Sequence, residues 1–163
     1  MINAKQKVVE QISYHRPNLQ FAAADVLDLD SLHNAKAQLG GGAPMALIHE
    51  GLFTYFPHEK KREIMKNFRT LLSKNGGVWV TPDIITREQM DRTTSLSKEY
   101  LAKWPTFYPF EDLAEAEAMV CETGFVVERL SPMKLVPRLK SEVPDGRVRE
   151  ILAHEELWVM RPQ

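Results

Sequence analysis

Side chains capable of chemistry follow two apolar segments of this 163-residue chain. The first apolar segment is followed by His49, Glu50 and Gly51, and the second is followed by Asp83 after a threonine and a proline. A histidine can accept a proton near neutral pH, and a carboxylate at a strand end can hydrogen-bond a substrate. These residue types therefore suggest a small-molecule site, provided that the fold brings the two segment ends together.

The segments around these residues predict a β-α-β unit. Residues 45–48 and 78–80 are apolar runs of strand length, and between them lies an apolar stripe at helical spacing that stops at Asn75-Gly76-Gly77. Pro57 suits the first turn of that helix, where its missing N–H costs nothing. Ligands of parallel sheets bind at the carboxyl ends of the strands. The unit therefore predicts that His49, Glu50, Gly51 and Asp83 share one edge of a sheet.

The remaining segments complete an α/β pattern. They predict helices over 2–15, from Asp28 or Asp30 to Leu39, and over 110–122, and strands over 19–24, 125–130 and 156–160. Gly40–Gly42 ends the second helix, and residues 84–108 are less regular. We expect a Rossmann-like, mostly parallel sheet with helices on both faces and an antiparallel C-terminal edge, in a single domain over 1–163.

Composition narrows the functional classes. The 21 basic and 22 acidic residues nearly cancel, which gives no reason to propose a nucleic-acid partner. The single cysteine, Cys121, fits a reducing compartment and excludes an internal disulfide. No segment approaches the roughly 20 apolar residues of a membrane span, and the N-terminus has no signal-peptide core. We expect a cytoplasmic protein with a small-molecule substrate and no membrane partner.

Four short segments carry a resemblance to a known family. They are Phe21-Ala-Ala-Ala-Asp25, Glu50-Gly-Leu-Phe-Thr-Tyr55, Leu71-Leu-Ser-Lys-Asn-Gly-Gly77 and Gly124-Phe-Val-Val127. In this order and spacing the chain resembles the C-terminal two-thirds of a class I S-adenosylmethionine-dependent methyltransferase. Within that class it is most similar to the leucine-carboxyl and polyketide O-methyltransferase branch, and the resemblance covers nearly the whole chain.

The resemblance implies a cofactor and a set of site residues. S-adenosylmethionine would be the methyl donor, and Asp25 would hold the adenine amino group. Residues 84–110 would form a substrate lid. The implied residues are, for the cofactor, Asp25, Val26, Leu27, Glu50 and Gly51; for catalysis, Glu50, Tyr55 and His49; and for the substrate, Asp83, Trp104 and Tyr108. No metal is implied, because neither His-Glu pair of the chain belongs to an H-E-x-x-H motif.

The chain departs from that family at its N-terminal side. The family has a first strand with a glycine-rich cofactor turn and a second strand ending in an acidic residue, and neither is present. Gly40–Gly42 follows a helix and precedes a strand, whereas a cofactor cradle needs the opposite order. The two absent strands would lie between residues 19–26 and 45–48, and their loss exposes sheet edges. We expect the remaining strands to pair directly, or a homodimer or a partner to complete the sheet.

Each candidate residue also has a structural interpretation. Asp25 can form a turn or cap a helix, Asp83 can be an N-cap, and Tyr55 can simply pack. Of the neighbours His49 and Glu50 at most one faces the site, and Glu50 is favoured. The aromatic residues of 104–110 can pack the last helix onto the sheet. The charged run 59–63 fits the solvated face of its helix, and Cys121 fits the core.

Three functions are consistent with these observations. The first is methyl transfer from S-adenosylmethionine to a carboxylate or hydroxyl oxygen of a small molecule. The second is a truncated, non-enzymatic methyltransferase-like domain that dimerises or needs a partner and does not bind the cofactor alone. The third, a fragment of a dinucleotide-binding oxidoreductase, is weaker because it also requires the absent glycine-rich turn.

Overall fold

A computed structural model describes residues 2–12, 18–40, 42–74, 76–94, 107–134 and 155–163, together with positions 146, 149 and 152. The helices are α1 (Ile2–Ile12), α2 (Leu29–Gln38), α3 (His58–Ser73), α4 (Arg87–Thr94) and α5 (Leu113–Glu122). The strands are β1 (Met45–Ile48), β2 (Gly77–Thr81), β3 (Phe125–Leu130) and β4 (Leu157–Pro162), and a short 3-10 turn spans Phe53–Tyr55.

The four strands form one mixed sheet with the order β1-β2-β4-β3. β1 and β2 are parallel, with Leu47 opposite Trp79, whereas β4 is antiparallel to both β2 and β3. The α/β class and the antiparallel C-terminal end are confirmed. The expectation of a mostly parallel sheet is wrong for the described residues, because a single parallel pair remains where the resemblance implied several.

The predicted strand over 19–24 is absent, and this stretch has no regular secondary structure. A strand is stable only when a neighbour takes up its backbone hydrogen-bonding groups. β1 pairs with β2 alone among the described strands, so residues 19–24 and β1 do not pair directly. An apolar segment without a partner among the described strands therefore forms no strand of its own.

The core lies between the sheet and the helices α2, α3 and α5. α3 buries the apolar stripe that its sequence predicts, and Leu32 of α2 and Met119 of α5 belong to the same cluster. The largest buried rings are those of Trp79, Trp158, Phe68, Phe53, Phe110 and Phe125. Burying one large apolar side chain contributes about 1.5–3 kcal/mol. This face of the sheet therefore supplies the hydrophobic stabilisation of the domain.

The opposite face of the sheet is more open. Ile48 and Val126 project from it, because each neighbours in sequence a residue that faces the Trp79 side, and they are 71% and 57% exposed. In the described part of the chain, α2, α3 and α5 all pack on the Trp79 face, so the expected helix layer on the opposite face stays a prediction.

Two predicted helix ends are confirmed. The Asp28 carboxylate accepts a hydrogen bond from the Asp30 amide and caps α2. α2 then ends at Gln38, and Gly40 follows with φ = +92°, a conformation that favours glycine. Gly40 is thus a helix stop, as its position after a helix predicts.

The start of α5 differs from the prediction. α5 begins at Leu113, three residues later than expected, because the Asp112 side chain accepts a hydrogen bond from the Glu115 amide and caps the helix there.

We expect Gly77→Ala to destabilise the protein. A Cβ atom at Gly77 would lie 2.7 Å from the Met45 carbonyl oxygen and 2.7 Å from Leu72 Cδ2, inside the β1–β2 pairing. Overpacking of this kind costs about 1–3 kcal/mol. The matched control is Gly42→Ala, where a Cβ has nothing within 4 Å. Urea unfolding should show a lower midpoint for Gly77→Ala alone, and equal midpoints for both variants would contradict the described register.

Candidate functional site

A cavity of about 590 Å³ opens at the carboxyl ends of β1 and β2. Its volume is within the range of small-molecule sites. Three carboxylates line it, those of Glu50, Asp83 and Glu155, and no described lysine or arginine does. The cavity is therefore suited to a ligand that carries a positive charge. The other lining residues are Gly51, Thr54, Pro82, Ile85, Pro132, Leu152 and Leu157.

Glu50 and Gly51 form the cavity wall directly after β1. Glu50 is exposed and lines the cavity, whereas the neighbouring His49 turns inward, with its side chain 9% exposed. The two side chains thus take opposite sides, which is the arrangement the alternation of strand residues predicts. Gly51 has φ = +63° and lets the chain turn from β1 into the 3-10 turn.

Asp83 holds the 3-10 turn in place. Its side chain is buried, and Oδ2 accepts hydrogen bonds from the amides of Leu52 and of Phe53, the latter at 2.6 Å. Asp83 is thus a cap, as the structural interpretation predicted, but of a turn 30 residues earlier in the chain rather than of the helix that follows it. It also lines the cavity, so its contact with a substrate stays a prediction.

Thr81 and His49 connect the same two strand ends. The Thr81 hydroxyl donates to the His49 carbonyl at 2.9 Å and accepts from the Asp83 amide at 2.9 Å. His49 Nδ1 lies 3.3 Å from Thr81 Oγ1 and 3.5 Å from Asp83 Oδ2. Because a carboxylate only accepts, the tautomer that fits these neighbours carries its proton on Nδ1. Sequence reasoning missed Thr81, although its position two residues before Asp83 was visible.

The His49 ring packs among aromatic side chains. Its centroid is 4.9 Å from that of Phe53, 5.6 Å from Trp79 and 5.9 Å from Phe68. Its Nε2 atom is buried and has no hydrogen-bond partner among the described residues. His49 is not among the cavity-lining residues. Its role as a proton acceptor stays a prediction that this geometry does not support.

Asp25, Val26 and Leu27 form a turn before α2. Asp25 Oδ1 accepts from the Leu27 amide at 2.9 Å, and the Asp25 amide donates to Ser31 Oγ at 2.9 Å. This is the turn-forming role that asparagine and aspartate side chains commonly take. Val26 and Leu27 pack against the core. None of the three lines the described cavity, so their contact with adenine stays a prediction.

The aromatic candidates lie near the start of α3. Tyr55 is 41% exposed, and its ring centroid is 5.5 Å from that of Phe107. Tyr108 is 37% exposed, and its amide donates to the Thr54 carbonyl at 2.8 Å. Trp104 lies outside the described residues. Of the expected lid region over 84–110, the structure describes 84–94 and 107–110.

Lys61 is the unexpected buried residue of the site. It was interpreted as part of a solvated face, which is wrong, since its residue exposure is 1%. Burial lowers the pKa of its ammonium from 10.5 to about 8, against the opposing attraction of the Asp83 and Glu115 carboxylates. The signal was present in the sequence: Lys61 precedes Ile64 and Met65 by three and four positions, which places it on the apolar stripe of α3.

Two further findings concern metals and Cys121. No group of three or more His, Cys, Asp or Glu side chains among the described residues could hold a metal ion. Cys121 is exposed on α5, so its expected place in the core is wrong. It lies between the buried Val120 and the exposed Glu122, at the margin of the apolar stripe of a short helix.

Comparison with known proteins does not assign the chain to a family. No protein-family model matches it, and no curated protein is similar to it at a significant level. Within the described ranges, no helix is long and apolar enough to cross a membrane.

We expect Asp83→Asn to lower the free energy of unfolding by about 2–4 kcal/mol, because it replaces a charged acceptor of two backbone amides by a neutral one. Asp91→Asn, on the exposed surface of α4, is the control and should change stability by less than about 0.5 kcal/mol. Chemical unfolding monitored by tryptophan fluorescence measures both. Equal stability of Asp83→Asn and wild type would contradict the capping role.

Lys61 should give the protein a distinct pH dependence of stability. Between about pH 8 and 10.5 the unfolded chain holds a proton on this lysine that the folded chain has released, so raising the pH favours folding. The stability of wild type relative to Lys61→Met should therefore increase over this window, by at most about 1.4 kcal/mol per pH unit. Below pH 8 the difference should be constant.

The measurement is urea unfolding of both proteins from pH 7 to about 9.5, a range that spans most of this window. Lys60→Met is the matched control, since Lys60 is the neighbouring lysine and pairs with Glu63 at the surface, 2.7 Å away. It should keep the pH slope of wild type. A constant difference between wild type and Lys61→Met throughout the range would contradict the lowered pKa of Lys61.

Proposed function

We propose that this protein transfers a methyl group from S-adenosylmethionine to a carboxylate or hydroxyl oxygen of a small molecule. The observation that carries the proposal is the acidic cavity at the carboxyl ends of β1 and β2, the edge at which ligands of parallel strands bind. The resemblance of the four sequence segments supports the same function. Fold class alone would not, because similar sheets serve many chemistries.

The chemistry of the cavity wall fits this cofactor. The sulfonium centre of S-adenosylmethionine is a cation, and the described wall offers the carboxylates of Glu50, Asp83 and Glu155 with no opposing basic side chain. Of these three carboxylates, that of Glu50 is exposed and directly follows β1. It is therefore the one best placed to interact with the positive charge. Asp25, Val26 and Leu27 are proposed for the adenine end, beyond the described cavity lining.

In this proposal the protein aligns the reactants and shields them from water. The cofactor supplies an activated methyl group, which an acceptor oxygen attacks in line, so no nucleophilic side chain is needed. Glu50 orients the charged centre, and Tyr55, Trp104 and Tyr108 contact the acceptor. Asp83, with Thr81 and His49, keeps the two strand ends at a constant separation. The homodimer, or a partner that completes the sheet, belongs to the same proposal.

A second candidate function rests on the free edge of β1. This strand pairs with β2 alone among the described strands, and Ile48 at its end is 71% exposed. Unpaired edges with apolar side chains readily accept a further strand. The chain could accordingly be a non-enzymatic module that associates through this edge and binds no cofactor alone.

Binding of two ligands of different charge tests the first candidate. S-adenosylmethionine carries the sulfonium charge, whereas S-adenosylhomocysteine is the uncharged thioether. Calorimetric titration of wild type should give a micromolar Kd for the charged ligand, about tenfold below that for the neutral one, which corresponds to about 1.4 kcal/mol. Glu50→Gln should reduce this preference to about threefold or less and leave the neutral ligand's Kd nearly unchanged.

Glu128→Gln is the matched control, because Glu128 lies on β3 and is 3.6 Å from Arg161 at the far edge of the sheet. It should keep the tenfold preference. Absence of heat for both ligands at about millimolar concentration would contradict the first candidate. Analytical ultracentrifugation of the same sample then tests the second candidate function. A dimer that Ile48→Lys dissociates would support association through β1, whereas a monomeric wild type would contradict it.

A further inference from the structure

A four-residue segment, the strap Phe107–Phe110, connects two walls of the cavity. The Tyr108 amide donates to the Thr54 carbonyl at 2.8 Å, and the Phe110 amide donates to the Ile85 carbonyl at 2.9 Å. Thr54 follows β1, Ile85 follows β2, and both line the cavity. The strap therefore adds a second connection between these two walls, beside the one that Asp83 makes.

Two side chains of the first turn of α3 contact backbone carbonyl groups of the strap. The buried Lys61 ammonium donates to the Tyr108 carbonyl, and His58 Nε2 lies 3.1 Å from the Pro109 carbonyl oxygen. Both groups also contact the fully buried Phe110 ring. Lys61 Nζ is 4.2 Å from its centroid, and the His58 ring stacks on it at 5.3 Å with an interplanar angle of 21°. A cation over an aromatic face is attracted by the ring quadrupole.

His58 lies between two hydrogen-bond acceptors, one from the strap and one from α5. Nε2 faces a carbonyl oxygen, and Nδ1 lies 3.2 Å from Glu115 Oε1, so both ring nitrogens face acceptors. Only the imidazolium donates to both; the neutral ring leaves one acceptor without a donor. The charged groups near the pair are Glu115 from α5 and Asp83 from the segment after β2, which both attract the Lys61 ammonium.

We propose that Lys61 and His58 are positioning residues that hold the strap against the cavity walls, with His58 releasing it when the imidazole becomes neutral. In the held state Thr54 and Ile85 keep the spacing seen here. In the released state the two walls keep only the connection made by Asp83 and Thr81, and Thr54 and Ile85 are free to shift, which changes the shape of the cavity for a ligand. The consequence for ligand affinity rests on the proposed function, whereas the attachment of the strap does not.

Amide hydrogen exchange followed by NMR tests the attachment on the ligand-free protein. In wild type the protection of the Tyr108 and Phe110 amides, corrected for intrinsic exchange, should fall about tenfold between pH 5.5 and about 7, below the range in which Lys61 itself releases its proton. His58→Gln should remove this pH dependence. Lys61→Met should lower protection about tenfold at every pH, while the matched control Lys60→Met keeps the wild-type values.

Glu115→Gln provides a variant that leaves α3 intact. It removes the charge that His58 Nδ1 faces, and should flatten the pH dependence without unfolding the chain, which protected amides of Trp79 and Val159 in the sheet would verify. The proposal is overturned if His58→Gln retains the pH dependence, or if Lys61→Met leaves the two strap amides as protected as wild type. Failure of S-adenosylmethionine to bind would contradict the proposed function and leave these exchange results standing.

Discussion

The site depends on one buried carboxylate. Asp83 Oδ2 accepts two backbone amides of the segment that follows β1, although Asp83 itself follows β2. A buried charge is tolerated only where donors surround it, so the 3-10 turn and the end of β2 must come together for either to be stable. Thr81 adds a hydroxyl bridge between the same two strand ends. The cavity is what remains between segments that this carboxylate holds.

The charged groups near the cavity differ between its surface and the core. Carboxylates line the wall, while the buried ammonium of Lys61, which is not among the described lining groups, donates to the Tyr108 carbonyl of the strap. Burial lowers the pKa of that ammonium, because a low-dielectric environment disfavours the charged form. The attraction of Asp83 and Glu115 offsets part of this cost. The described wall is therefore acidic although a buried basic residue is close enough to Asp83 to be attracted by it.

Local patterns in the sequence predicted those elements whose stability comes from their own neighbourhood. The stripe of α3, the cap at Asp28 and the stop at Gly40 need only nearby residues, and all three are present. The prediction of a strand over 19–24 was wrong, because a strand needs a partner strand and a local sequence pattern does not show whether one is present. Residues 19–24 are apolar enough for a strand, but none of the described strands pairs with them.

The candidate site was predicted in location rather than in detail. Glu50, Gly51 and Asp83 do share one edge, since the end of a parallel strand is readable from the β-α-β pattern. The inward turn of His49 and the burial of Lys61 were not readable with the same ease. Each depends on which aromatic rings and carbonyl groups from distant segments, such as Phe110 and Tyr108, occupy the space beside it.

The position of β4 has a consequence for how the molecule is assembled. This strand lies between β2 and β3, although it comes after both in the chain, and it pairs Met160 with both Trp79 and Val127. β2 and β3 do not pair with each other, so only β4 connects them in the sheet. Closing such distant pairings is slow, because chain entropy is lost before the contacts form. The sheet should therefore complete late in folding, with β1 and β2 docked on α3 as the earlier half.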